Sequence, residues 1–250
     1  MRLDIYLVEN NYFSSRSKAQ LAIKSGDVTV NGKTEKPSYE VLPQDVVYAK
    51  NNQKYVGRGG YKLEKAIEEF ALDLTDKTVL DIGASTGGFT DCALINGAKK
   101  VYAVDVGHGQ LDEKLLSDER VVNLEGTDIR SLTNIEKCDV ATVDVSFISL
   151  EHILPHVFKH LKPDADVMCL VKPQFEIGKK RLKNGVVKDI KDIVSVLEKI
   201  LYFCGENNFG VVAITKSPIL GGEGNTEFLF HIKYGVVSKT YNLKSIIKEH

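Results

Sequence analysis

Between residues 78 and 173 five short apolar runs recur, TVLDIG, KVYAVDVG, VVNLEG, DVATVDVSF and DVMCLVKP, with helix-patterned or polar stretches between them. Nothing else in the chain narrows the fold as much. Strands that alternate with crossover segments pair in parallel, and a parallel sheet needs helices to cover its faces. YKLEKAIEEFAL, ahead of the first run, supplies one such cover, with Leu63, Ala66, Ile67 and Phe70 on one face. The last two runs differ: GVVAITKSPI and EFLFHIKYG are joined by a glycine-rich loop and read as a hairpin that closes the sheet.

At 250 residues, 43% hydrophobic and 27% charged, the chain has room for one large domain or two modest ones of ordinary soluble composition. No apolar run approaches the roughly 20 residues that span a bilayer. The N-terminus carries Asp4 and Glu9 among its apolar residues and shows no signal-peptide pattern. Cys92, Cys138, Cys169 and Cys204 form no CxxC pair and read as reduced core thiols of a cytoplasmic protein. The net charge of −1 conceals an asymmetry. Residues 1–62 hold 10 Lys and Arg against 6 Asp and Glu, a net of +4, and the remainder carries −5. A small basic part joined to an acidic one hints at a polyanionic partner.

In that first part RLDIYLVEN places Leu3, Tyr6 and Leu7 at helical spacing. Ser14 and Ser15 are candidate N-caps for SRSKAQLAIKSG, which stops at Gly26 after a cationic last turn at Lys24. DVTVNGKTE runs Val28 and Val30 into an Asn31-Gly32 hairpin signal. With its RLD opening, SRSKAQ helix and GDVTVNG turn, the segment 1–48 resembles the S4 RNA-binding domain. The resemblance implies an RNA partner, with Arg2, Arg16, Lys18, Lys24, Lys33 and Lys36 as the candidate RNA-binding residues. A solvated charged face is the plainer alternative. Residues 49–60, AKNNQKYVGRGG, read as a linker.

TVLDIGASTGGFT is the most informative local motif, and three chemistries compete for it. Ser85 stands at the second glycine's place of GxGxxG, which weakens a dinucleotide reading. Gly83 to Gly87 spell GxSxG, the serine-hydrolase elbow, but the late histidine it needs, His231, falls inside a strand pattern. The third reading is S-adenosylmethionine. Gly83 allows a tight turn, and Gly87 and Gly88 let a ligand approach the backbone at a helix N-terminus. Asp81 would contact the amino group of a methionine moiety, Asp105 the ribose hydroxyls, and Asp128 an adenine amino group. Asp128 reads equally well as a loop or capping acid. The candidate cofactor-binding set is Asp81, Gly83, Ser85, Thr86, Gly87, Gly88, Phe89, Asp105 and Asp128.

VMCLVKPQFE adds a question, because lysine is seldom buried without a partner and Lys172 stands where a core strand stops. It either snorkels into water or opens into a reactive cleft. GRGGYKLEKA, DIGASTGGFTDCAL, VDVSFISL, LVKPQFEIG and GNTEF, in that order, resemble the TlyA family, in which an S4 domain joins an FtsJ-like methyltransferase domain. The resemblance implies an α/β architecture: a Rossmann-like S-adenosylmethionine-dependent methyltransferase domain over residues 61–234, with a seven-stranded, mostly parallel sheet. A small α+β S4 domain precedes it, and residues 235–250 are left as a tail with room for a small extra helix. It implies 2′-O-methylation of ribosomal RNA, with ribosomal RNA or subunits as partner and no membrane.

The family's Lys-Asp-Lys-Glu tetrad falls on Lys62, Asp144, Lys172 and Glu227. Lys172 would take the proton of the 2′-hydroxyl, which requires its neutral amine; desolvation and the nearby cation of Lys62 favour that form and the Asp144 charge opposes it. Asp144 would orient Lys172 and lie near the sulfonium, and Glu227 would position Lys62 or the ribose. Salt bridges at a domain edge are the non-enzymatic alternative.

Three histidines, His152, His156 and His160, share a helical face at spacing four, but no carboxylate completes an HExxH pattern and Pro155 interrupts the segment, so no metal site is assigned. Two other functions remain open: an RNA-binding ribosome-assembly factor with a vestigial cofactor site, and a membrane-acting haemolysin, a label the family has carried. The latter lacks a long cationic amphipathic segment.

Overall fold

The computed structural model describes residues 1–10, 12–13, 16–50, 54–178, 182, 184–222 and 224–248. The chain divides into two compact units, Met1–Lys54 and Tyr55–His250.

In the first unit, helices α1 (Leu3–Glu9) and α2 (Arg16–Ser25) pack with strands β1 (Val28–Val30) and β2 (Val47–Ala49). Leu3, Leu7, Ala19, Ile23, Val28 and Val30 form its core. Ser14 and Ser15, read as caps of α2, lie outside the described residues, as do residues 51–53 of the polar stretch 49–60 expected as a linker; Ala49 ends β2, and Gly59 and Gly60 open the first helix of the second unit. The Asn31-Gly32 turn forms with both residues at positive φ, 52° and 79°. It returns only as far as a bridge between Val30 and Lys33, and β1 pairs instead with β2. Lys33-Thr34-Glu35-Lys36 offers no apolar alternation to bury, whereas Ala49 is 1% exposed.

A buried acid joins the two helices. The Asp4 side chain has no solvent exposure and accepts hydrogen bonds from Arg2 Nε (3.0 Å) and Nη2 (3.1 Å), Arg16 Nε (2.8 Å) and Gln20 Nε2 (2.6 Å). The Arg2 guanidinium, with Gln20 and Arg16, holds its carboxyl well below the usual carboxylate range.

The second unit is built on a seven-stranded sheet: β3 (Thr78–Ile82), β4 (Lys100–Asp105), β5 (Val121–Glu125), β6 (Cys138–Val143), β7 (Leu161–Val171), β8 (Phe209–Lys216) and β9 (Phe228–Tyr234). The order is β5-β4-β3-β6-β7-β9-β8. The first five strands are parallel, and β9 runs antiparallel to both β7 and β8, as the closing hairpin signal implied. Helix α3 (Gly59–Phe70) and helix α4 (Gly88–Ile95) cover one face, sharing a core with Leu63, Ala66, Phe89 and Leu170. The other face packs on α6 (Leu154–Val157), α8 (Ile190–Glu206) and α9 (Leu243–Lys248). Short helices α5 (Glu113–Leu116) and α7 (Pro173–Glu176) follow β4 and β7.

Two expectations change. Residues 243–247 are no appended tail: Leu243, Ile246 and Ile247 are buried in the same core as α8 and β8. His152, His156 and His160 do not share one helix face, because the segment breaks into two 3-10 turns flanking α6.

The chain leaves β3 toward β4 and β5 and then returns to β6 on the other side of β3. Ligands of open α/β sheets bind at such a reversal, beyond the carboxyl ends of the strands. For the first unit, Asp4→Ala is expected to cost about 2–3 kcal/mol, since it removes a buried acceptor of four charge-assisted or neutral hydrogen bonds. Urea unfolding followed through the amide signals of α2 would measure it.

Candidate active site at the strand tips

At the carboxyl ends of β3, β4 and β6 lies a cavity of about 500 Å³. The size suits a nucleoside-bearing ligand. Gly83 makes its floor possible: φ is +80°, and a Cβ would stand 2.4 Å from the carbonyl oxygen of Asp144, so the tips of β3 and β6 meet only over glycine. At the end of β4 both carboxylate oxygens of Asp105 are fixed by backbone, Oδ2 by the Ser85 N–H (2.8 Å) and Oδ1 by the Gly107 N–H (2.7 Å). Gln110, which lines the cavity, accepts from Ser85 Oγ (3.3 Å). Its loop hangs on Glu125, whose carboxylate accepts the Gln110 and Leu111 N–H groups. Asn123 and those amides pull the Glu125 carboxyl down to about 2.

The other predicted cofactor residues divide. Asp128 borders the cavity but is gripped by Arg130, with Nε to both oxygens at 3.0 Å and Nη2 at 2.5 Å. Asp81 does not reach the cavity: it is fully buried and accepts from Thr90 Oγ1 (2.7 Å) and Thr142 Oγ1 (2.8 Å). Burial pushes its carboxyl up to about 6, against those two hydroxyls. Thr86 is exposed away from the cavity lining, and Phe89 is a core residue. The glycines after Ser85 serve the protein itself. A Cβ on Gly87 (φ +93°) would strike Leu115, and one on Gly88 would lie 3.0 Å or closer to backbone atoms of Gly57 and Gly60. What approaches Gly88 is the loop leading into α3.

Ser85 has the positive φ, 49°, that a nucleophile elbow shows. Its hydroxyl nevertheless pairs with Gln110, and His231 is engaged elsewhere, 2.6 Å from Asp166 and stacked on Phe70.

Four charged side chains from four elements converge beside the cavity. Lys62 projects from α3 and places Nζ 2.7 Å from Glu227 Oε2, just ahead of β9, and 3.7 Å from Asp144 Oδ2, just beyond β6. Lys172, beyond β7, places Nζ 2.5 Å from Asp144 Oδ1 and donates to Ser146 Oγ at 2.9 Å. The side chains are 10% (Lys62), 3% (Glu227), 17% (Asp144) and 11% (Lys172) exposed, so the ammonium groups are compensated within the protein and not by water. Asp144 Oδ1 is buried and receives no aligned hydrogen bond, although the Lys172 ammonium faces it. Gly221 leaves room for Glu227, whose Oε1 lies 2.4 Å from where a Cβ would be.

The sequence reading missed the aromatic lip. Phe147 lines the cavity, is 89% exposed and has a φ of 63°, a strained conformation for a bulky residue. Its ring lies 4.8 Å from that of Phe175, over which Lys172 Nζ stands at 5.8 Å. The signal was present, a large apolar residue directly after a strand-end acid and serine, but a strand pattern absorbed it. Among the RNA-binding candidates of the first unit, Arg2 and Arg16 are both paired with Asp4, whereas Lys24, Lys33 and Lys36 are exposed; the Lys18 side chain lies outside the described residues.

Asp81 gives the site a pH signature. Its folded-state value lies above the ordinary range of about 4, so its share of stability is complete at acid pH and is lost as pH rises through about 6. Asp81→Asn removes that loss, and the rotating threonine hydroxyls can pair with the amide. The variant's thermal midpoint is expected to gain on the wild type between pH 3 and pH 7, by the equivalent of about 2–3 kcal/mol, with roughly half of that gain falling above pH 5. Paired melting curves across that range would show it.

Comparison with known proteins agrees with this fold and its division into two units. Residues 55–234 match the pattern of the FtsJ-like methyltransferases, and residues 1–47 match the S4 domain. YqxC of Bacillus subtilis, named as a candidate rRNA methyltransferase, is 46% identical over 240 residues, spanning 93% of this chain and 85% of that one. The 16S/23S rRNA (cytidine-2′-O)-methyltransferase TlyA of Mycobacterium tuberculosis is 37% identical over 239 residues, spanning 93% and 89%. A solved structure of a candidate hemolysin from Streptococcus thermophilus superposes with a TM-score of 0.77 at 39% identity, covering 99% of this chain and 94% of that chain.

Proposed function

We propose, from the premise that this chain belongs to the FtsJ-like methyltransferase family and to the TlyA proteins within it, that it methylates a ribose 2′-hydroxyl of ribosomal RNA with S-adenosylmethionine as donor. The Glu227–Lys62–Asp144–Lys172 chain at the edge of the cavity carries this proposal. Two ammonium groups held on two carboxylates, largely out of water, serve little purpose as stabilising pairs, since apolar packing does as well. They suit a site that must move a proton.

The cavity fits the donor. Asp105 presents a carboxylate already oriented by two backbone amides, with lone pairs left for vicinal hydroxyls. Val106, Ile129 and Ile148 give it apolar walls, and Gln110 and Thr127 give it neutral polar groups. Bound there, S-adenosylmethionine would supply an electrophilic methyl on a sulfonium. Asp105 would hold the ribose, and Asp128 with Arg130 would border the base. Asp144, at the wall of the same cavity, would place its negative charge toward the donor.

On the acceptor side Lys172 would take the 2′-hydroxyl proton at Nζ, held in place by Asp144 and Ser146. The tetrad is neutral when both lysines are charged. Loss of one proton leaves it at −1, which a cationic donor nearby compensates. Lys62, anchored by Glu227, keeps Asp144 from turning wholly to Lys172. The exposed ring of Phe147, backed by Phe175, offers a face on which an unstacked base can lie. Lys24, Lys33 and Lys36 would contact phosphates. Among the described residues no helix is long and apolar enough to cross a membrane, so nothing in the helices favours a lytic role.

Methyl transfer from labelled S-adenosylmethionine to unmodified ribosomal RNA and subunits tests the proposal. Wild type is expected to label a ribose oxygen, and Lys172→Ala to lower kcat by about 10²-fold or more. Equal rates would discard Lys172 as base; no transfer and no donor binding would leave an RNA-binding protein with a vestigial site. In the same assay Phe147→Ala is expected to reduce kcat/KM for RNA about tenfold, the worth of one stacked base.

A further inference from the structure

The ladder between β6 and β7 stops at Val143 and Cys169. Beyond it the chain carries Asp144, Ser146 and Phe147 on one side and Lys172 and Phe175 on the other, with no backbone pairing between the two segments to fix their spacing. Two strand tips that must hold reacting groups to a fraction of an ångström need another tie.

Glu176 provides one. It closes α7, four residues after Lys172, and its side chain is only 2% exposed. Oε1 accepts the backbone N–H of Leu150 at 2.8 Å; Oε2 accepts Ser149 Oγ at 2.6 Å and Lys199 Nζ, from α8, at 3.2 Å. Lys199 is itself held by Glu151 at 2.9 Å, and Ser149 caps the 3-10 turn Leu150–His152. One buried carboxylate thus fastens the far end of the segment after β6 to the segment after β7, and both to the longest helix of the fold. The nearer contacts, Lys172 with Asp144 and Ser146 and Phe147 with Phe175, are the site itself.

Burial makes the tie stiff. A carboxylate out of water is costly to leave without donors, so all three donors are held to it. Val145, Ser146, Phe147 and Ile148, between Asp144 and this anchor, line the cavity. A loosened anchor would let that wall and the two strand tips drift apart.

We propose that Glu176 is a positioning residue for methyl transfer: its buried carboxylate sets the distance between the segment bearing Asp144 and Phe147 and the segment bearing Lys172. The assignment rests on the function proposed above. It differs from a role in folding alone, because the loss appears in turnover and in local loop opening while the sheet stays intact.

The test uses the full chain with Glu176→Gln, Ser149→Ala and the double variant. Amide hydrogen exchange of residues 144–152 is measured beside methyl-transfer kinetics. Glu176→Gln is expected to lower kcat about tenfold or more and to speed exchange at Leu150. Exchange in β3 and β6 should not change, since neither strand touches the anchor. Ser149→Ala should lower kcat a few-fold and add nothing to Glu176→Gln, because both cut one tie.

An active wild type with kcat unchanged in Glu176→Gln overturns the assignment, and so does unchanged exchange at Leu150. Faster exchange throughout the sheet overturns it too, by showing a role in folding alone. If Glu176→Gln does not fold, Ser149→Ala carries the same comparison, with faster loop exchange and reduced kcat expected and no change in either overturning the assignment. A wild type that transfers no methyl overturns the proposed function instead, and the exchange comparison still decides whether Glu176 holds the loop.

Discussion

Asp144 is the point on which the catalytic unit turns. Its carbonyl closes on Gly83, so the tips of β3 and β6 meet there, and its carboxylate lies between two ammonium groups. Moving any of these partners uncovers a charge that water does not reach. Removing one member of a buried pair generally costs about 3–5 kcal/mol, while replacing the whole set by apolar groups often costs nothing. Stability alone therefore does not account for two lysines and two carboxylates in such a place. The sheet order makes the place available, because the switch of direction beside β3 opens the strand ends where Asp144, Lys172 and Asp105 emerge.

The glycine-rich loop has a different job from the one its composition suggests. Gly83 serves the cavity, but Gly87 and Gly88 make room for Leu115 and for the backbone of Gly57–Gly60, which leads directly into the helix that carries Lys62. The loop therefore helps set the position of Lys62. Asp81, fully buried near the end of β3, ties β3 to β6 and α4 through Thr142 and Thr90. Of the three strand-end acids, Asp105 alone combines a place in the cavity wall with a carboxylate that no side-chain cation occupies.

The first unit shows the same economy. Two of its arginines, which by charge alone belong to an RNA-facing surface, converge on one fully buried aspartate and hold its two helices together. Its exposed lysines are what remains for a polyanion. Net charge told the sign of this unit and not which cations are free to act.

Local pattern settled a good deal. Strand and helix alternate at periods that residues express on their own, so the five parallel strands, the closing hairpin and the amphipathic face of α3 were legible, and the motif order identified the family. A strand that ends in lysine or aspartate announces a functional tip, because burial there is costly without a reason. What the sequence could not state is which charge answers which. Lys62 meets Glu227 across 165 residues, Arg16 is claimed by Asp4 and Arg130 by its neighbour Asp128, Asp81 is buried while Asp105 borders the cavity, and Phe147 is pushed outward at positive φ. Those outcomes depend on distance and on the exclusion of water. Both exist only once the strands are packed side by side and the helices have closed over them.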